Sequence, residues 1–171
     1  GSDELLMRYM RKAFDAPKSI AWNFADDDVL QVKKIAQKVA NEKGRLSQFV
    51  RFQKGGDGSY FAPVAPQYNT LPLCIPYFTD RFADQRWLLY DTKRRYGYYY
   101  DLKEAVEITM EDDGLLLDGW LTDELMAEDE LLFQERWKSY FQSVTIRERI
   151  NPKLHRQHMP RRFWKYLPEK R

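Results

Sequence analysis

Apolar residues recur at helical spacing from the start of the chain. Leu5, Leu6, Tyr9, Met10, Ala13 and Phe14 fall on one stripe, which predicts an amphipathic helix over 3–14 that Pro17 ends. The run Asp26-Asp27-Asp28 offers an N-cap and a favourable charge at the positive end of a helix dipole. Val29, Val32, Ile35, Ala36, Val39 and Ala40 then repeat with the same period, Lys33, Lys34, Lys38 and Lys43 face outward, and Gly44 is a natural stop. After that the period changes to two. QFVRFQ (48–53) and SYFAPV (59–64) flank the glycine-rich connection KGGDG, which is a hairpin signature, and Pro63 puts the second strand near an edge or its end.

The Pro-punctuated stretch 67–82 predicts a turn leading into a short helix that ends near Phe82. A second hairpin comes next, with RWLLYD (86–91) and YGYYYDL (96–102) joined by Thr92 to Arg95. Alternation puts Tyr96, Tyr98 and Tyr100 on one face of their strand and Gly97 and Tyr99 on the other. Residues 109–119 read as an acidic loop or a weak strand. A long helix is predicted over 123–141 with Leu125, Leu132, Phe133, Trp137, Tyr140 and Phe141 inward. Asn151-Pro152 marks a break, and Pro160 splits the basic tail into two short helical pieces. The expected fold is α+β: an antiparallel sheet of two β-hairpins, in the order strand-strand-helix-strand-strand, packed with several helices.

The length of 171 residues suits one domain covering 1–171. Gly1-Ser2 reads as a cloning scar, which makes the chain the expected C-terminal part of a longer protein. No apolar run approaches ~20 residues, so no membrane partner is expected. The single Cys74 excludes an intrachain disulfide, and its setting in LPLCIPYF favours a buried, inert thiol in a reducing cytoplasm.

The net charge of +2 hides a division. Between Asp101 and Glu135 stand thirteen acids and one cation, Lys103, whereas 145–171 holds nine cations and two acids, Glu148 and Glu169. Such asymmetry speaks of partners, not of fold. The basic segment interleaves Lys153, Arg156, Arg161, Arg162, Lys165, Lys170 and Arg171 with His155, His158, Phe163, Trp164 and Tyr166. Phosphates take the charge of such a surface and bases stack on its rings, so nucleic acid is the partner it suits. The plainer alternative is a helix that packs Phe163, Trp164 and Leu167 on the core and solvates its cations. The turn residues Lys93, Arg94 and Arg95, beside Tyr98 and Tyr100, admit the same two readings: a backbone-following tip, or a charged tip that discourages edge aggregation.

Other chemistry has less support. His155 and His158 stand three apart, near enough on a helix to share a metal, yet they are the only histidines and no third ligand has a recognisable spacing, so no metal is assigned. The acidic run Glu107 to Asp113 lacks the EF-hand pattern. There is no P-loop, dinucleotide fingerprint, serine-hydrolase elbow or CxxC, so no cofactor is implied and catalysis stays an open question.

The strings FVRFQ (49–53), YFAPVAPQYNTLPL (60–73), FTDRFADQRWLLYDTKRRYGYYYD (78–101) and LHRQHMPRRFWKYLPEK (154–170) together resemble the bacterial "probable DNA metabolism protein" family, a domain of unknown function. Family members are in some bacteria fused to a uracil-DNA glycosylase-like domain, and in others accompany a radical S-adenosylmethionine protein of DNA repair or modification. The resemblance implies a setting in DNA metabolism and carries over no catalytic residue. The leading expectation is a DNA-repair accessory protein that binds single- or double-stranded DNA through Lys93, Arg94, Arg95, Tyr98, Arg156, His158, Arg161, Arg162, Trp164 and Lys165. The alternatives are a module that recruits a glycosylase-like or radical S-adenosylmethionine enzyme, and an enzyme acting on DNA through carboxylates or histidines.

Overall fold

The computed structural model describes residues 2–109, 116–117 (backbone alone), 120–122, 125–146, 148 and 150–170. Two compact units are distinguished along the chain, Gly1–Glu42 and Lys43–Arg171.

In the first unit α1 spans Ser2–Asp15, and α2 (Asp27–Phe49) starts there and continues past its boundary. The expected cap is present: Asp26 Oδ1 accepts from the backbone N–H of Asp28 at 2.9 Å and of Val29 at 3.3 Å. Arg8 and Lys12 on α1 reach Asp28 and Asp26, with Arg8 Nη2 3.0 Å from Asp28 Oδ1 and Lys12 Nζ 2.7 Å from Asp26 Oδ2. Of the apolar stripe on α1, Leu5 is buried, whereas Leu6, Met10 and Phe14 are exposed.

Gly44 does not stop α2, and the strand expected over 48–53 is helical as far as Phe49. A glycine in a helix costs about 1 kcal/mol relative to alanine, an amount readily offset where Leu46 is buried in the main core two residues on. What remains of the first hairpin is β1 (Gln53–Lys54) antiparallel to β2 (Tyr60–Val64). Helix α3 (Leu71–Arg81) then leads to β3 (Trp87–Asp91), β4 (Tyr96–Tyr100) and β5 (Ala105–Thr109). The sheet runs β1-β2-β3-β4-β5. Its hairpins are antiparallel as expected, but β2 and β3 pair in parallel, Tyr60 opposite Trp87 and Val64 opposite Asp91, with α3 as the crossover. A helical connection returns the chain to the same end of the sheet, and that produces the parallel join.

Both faces of the sheet are covered. Ala62, Val64, Trp87, Leu89 and Tyr100 meet Leu71, Cys74 and Phe78 of α3, Leu46 of α2, and Phe163. On the opposite face Phe61 and Tyr90 pack with Leu121, Leu88 and Met126. Leu121 lies on β7 (Trp120–Leu121), which pairs with β6 (Leu116–Leu117). Gly97 is needed where it stands: a Cβ there would lie 2.5 Å from the Leu89 carbonyl oxygen and 3.1 Å from the Tyr90 ring.

The long helix is shorter and more exposed than its pattern suggests. α4 spans Glu130–Val144, and Leu132, Phe133 and Tyr140 are exposed, not inward. Polar contacts hold its start: Glu130, buried, accepts from Lys54 N at 3.0 Å through Oε2 and from Gln134 Nε2 at 2.8 Å through Oε1. The segment before it is no helix, because Gly56 N donates to Leu125 O at 2.9 Å and Ala127 N to Lys54 O at 2.9 Å. Residues 110–113 of the acidic run, and 123–124 of the expected helix, lie outside the described residues. The chain continues with α5 (Pro152–His158) and two 3-10 turns, Arg161–Tyr166 and Pro168–Lys170. No helix among the described residues is long and apolar enough to cross a membrane.

Candidate nucleic-acid interface

The turn between β3 and β4 is built around one buried carboxylate. Asp91 is fully buried, and its Oδ1 accepts from the backbone N–H of Lys93 at 2.9 Å and of Arg94 at 3.1 Å. Its Oδ2 accepts from Arg94 Nη1 at 2.7 Å. Arg94 also donates to the carbonyls of Pro66 and Gln67, each at 3.1 Å. That guanidinium is engaged in closing the turn onto the loop before α3. Lys93 and Arg95 remain exposed, and Arg95 takes a left-handed backbone with φ 61°.

Tyr98 is also engaged. Its hydroxyl donates to Glu107 Oε2 at 2.7 Å, and its ring stands edge-on to Tyr96 at 6.0 Å. Burial and the Glu107 carboxylate push the phenol up to about 12. A half-buried ring beside an acid on β5 is poorly placed to stack on a base next to phosphate.

The tail is anchored as it is laid down. Asn151 caps α5 by accepting from Leu154 N at 3.0 Å, and Trp164 Nε1 donates to Met159 O at 3.0 Å. Phe163, Tyr166 and Leu167 are buried. Trp120 Nε1 donates to Lys165 O at 2.8 Å. Glu169, whose side chain is 1% exposed, accepts from Arg51 Nη2 at 2.9 Å and from Trp137 Nε1 at 2.9 Å. The plainer reading of the tail thus holds for Phe163 and Leu167. Tyr166 joins them in the core, and Trp164 is half-buried, stacked on His155 at 5.7 Å.

The cations are arranged around these rings. Arg161 stands over Trp164 at 5.7 Å, Arg162 over Phe163 at 4.9 Å and Lys165 over Tyr166 at 4.5 Å. Arg156, Arg161, Lys165 and His158 are exposed, and Arg162 is half-buried. Among the described residues Lys93, Arg156, Arg161 and Lys165 have no carboxylate partner. Arg8, Lys12, Arg51, Lys54 and Arg94, by contrast, are all ion-paired. The turn and the tail meet directly, because the hydroxyls of Thr92 and Tyr166 lie 3.2 Å apart. The contact residues Thr92 and Tyr166 are the sequence neighbours of Lys93 and Lys165.

His155 and His158 line a groove of about 680 Å³ with Lys170 and residues at the end of α4. Burial, and then the charge of Lys170, hold the His155 imidazole below its ordinary value. No group of three or more His, Cys, Asp or Glu among the described residues is placed to hold a metal. The sequence reading missed the Glu169 clamp and the Thr92–Tyr166 contact. The first had one signal, a lone acid in a basic tail; the second had none.

A family model described as a domain of unknown function (DUF4130) matches residues 1–169. No curated protein and no solved structure matches the chain.

Proposed function

The chain belongs to the DUF4130 family, a domain of unknown function, and from that premise we propose that it is a nucleic-acid-binding accessory protein of DNA metabolism. The observation that carries this reading is the unpaired set Lys93, Arg156, Arg161 and Lys165, drawn from a turn and a tail joined through Thr92 and Tyr166. A cationic surface with no acid partner among the described residues favours a polyanion. Arg162 and Arg95 border the set, and His158 adds a donor from α5. Trp164 and Tyr166 act by holding the cations in place rather than by stacking on bases. Fluorescence anisotropy with labelled single- and double-stranded DNA tests the proposal. Binding at low salt that weakens steadily as salt rises supports it, and no binding at the lowest salt refutes it.

A second reading rests on a different observation. Leu131, Leu132 and Phe133 are 55%, 50% and 69% exposed at the start of α4. Apolar side chains clustered in this way suit a protein partner, such as a glycosylase-like or radical S-adenosylmethionine enzyme. Co-elution with such a partner, lost on Phe133→Asp, would favour recruitment as the main role.

A further inference from the structure

The groove between the end of α4 and α5 has a composition that the nucleic-acid reading does not use. Phe141, Val144, Ile146, Ile150 and Leu154 make its wall. Two polar lining groups are engaged in part by the backbone: Asn151 Oδ1 accepts from Leu154 N, and Thr145 Oγ1 donates to Phe141 O at 2.6 Å. What remains at the mouth is Lys170, His155 and His158, with no carboxylate among the described lining residues. Among the described residues Lys170 has no ion-pair partner either; its ammonium lies 5.3 Å from the Phe141 ring and 5.5 Å from Trp164. The neighbouring acid, Glu169, is turned away toward Arg51 and Trp137.

We propose that this groove binds a phosphate monoester carried on a flat or apolar body, the phosphate at Lys170, His155 and His158 and the body against Phe141, Ile146 and Leu154. Volume, charge and lining agree on that class. The cavity falls within the size range of small-molecule sites, roughly 300–1,000 Å³. A phosphate monoester carries about −1.5 to −2 charge with three acceptor oxygens, which suits one ammonium and two imidazoles better than a carboxylate does. Most of the described lining is apolar, so the body meets it chiefly through apolar contact. Lys170 and His155 line the same groove, where the ammonium supplies charge and the imidazole a hydrogen-bonding nitrogen to a bound phosphate. This site borders the cationic set, sharing His158 with it and Trp164 as the ring beneath both Lys170 and Arg161, but its phosphate contact from Lys170 does not depend on that set binding DNA.

The two histidines of the chain both line the groove, so their imidazole proton signals report on it directly. The test is a nuclear magnetic resonance titration of the intact chain with phenyl phosphate, thymidine 5′-monophosphate and inorganic phosphate. Phenyl phosphate is expected to shift both imidazole signals saturably, at concentrations at least tenfold below inorganic phosphate. Lys170→Gln should weaken this tenfold or more, and Leu154→Glu, at an exposed wall position, should abolish it with the fold intact. Nucleotide binding as tight as phenyl phosphate identifies a nucleotide as the source, and weaker nucleotide binding identifies a free ester. Absence of any shift, equal response to inorganic phosphate, or indifference to both substitutions overturns the proposal.

Discussion

Removing Arg161 and Lys165 together should change the salt dependence of DNA binding more tellingly than its strength. Each side chain stands over a ring of the tail, is exposed, and has no acid partner among the described residues. With Lys93 and Arg156 they form a set of four. Each phosphate neutralised on duplex DNA contributes a slope of about −0.9 in log K against log salt, so four contacts give about −3.6. Between 50 and 200 mM salt that amounts to a loss of roughly 150-fold. The double variant Arg161→Ala/Lys165→Ala keeps two contacts, a slope of about −1.8 and a loss of roughly 12-fold over the same range. On single strands the intact set should give about −2.8, from a slope of about −0.7 per contact. The assay is anisotropy of a labelled oligonucleotide at several salt concentrations, with Arg94→Ala as the control. Arg94 is held by Asp91, Pro66 and Gln67, so its loss should weaken the fold and leave the slope unchanged. A slope unaltered in the double variant, or reduced in Arg94→Ala, would refute the assignment of these contacts.

The geometry sets four further outcomes. Glu169→Ala strands Arg51 and the Trp137 indole and should cost about 3 kcal/mol in urea unfolding, the scale for breaking a buried pair. Gly97→Ala drives a methyl to within 2.5 Å of the Leu89 carbonyl and should destabilise by about 1–3 kcal/mol, seen as a lower thermal midpoint. Hydrogen bonds from Arg8 and Lys12 hold the Asp28 carboxyl down at about 2 in the folded state. A depressed folded pKa gives stability that is complete above the ordinary carboxylate value and is lost as pH falls from about 4 toward 2; circular dichroism should show that acid limb, shallower in Asp28→Asn. Burial pushes the Cys74 thiol up to about 11, so a thiol reagent at pH 8 should label it only when the chain unfolds.

Elements whose signals are local were legible. The Asp26 cap, the stop at Pro17, the helix ending near Phe82 and the turn of the second hairpin all depend on residues within a few positions of one another. The α+β class came from them. The features that were not legible depend on distant contacts. Gly44 stands inside a helix that continues because Leu46 has a core to enter. Leu125 to Ala127 carry helical spacing, yet they pair with Lys54–Gly56 at the end of β1, some seventy positions earlier in the chain. β5 is short and open on its outer face, so it has little alternation to betray it. The same division applies to the candidate site. Cations and rings could be named from the tail, but which rings are core and which cations are spent depended on Asp91, Glu169 and Thr92, whose partners lie in other elements.

The proline in β2 has a bearing on assembly. Tyr60 N donates to Arg86 O at 2.9 Å, toward β3, so by strand alternation the nitrogen of Pro63 points the other way, to the side where β1 reaches no farther than Phe61. That position has no N–H to offer, and an incoming strand would find a gap in the ladder. The opposite margin of the sheet is β5, where Val106 is half exposed. Should copies of this chain ever join edge to edge, or lend strands to one another, the proline closes one margin and leaves β5 as the route for recruitment or fibril growth.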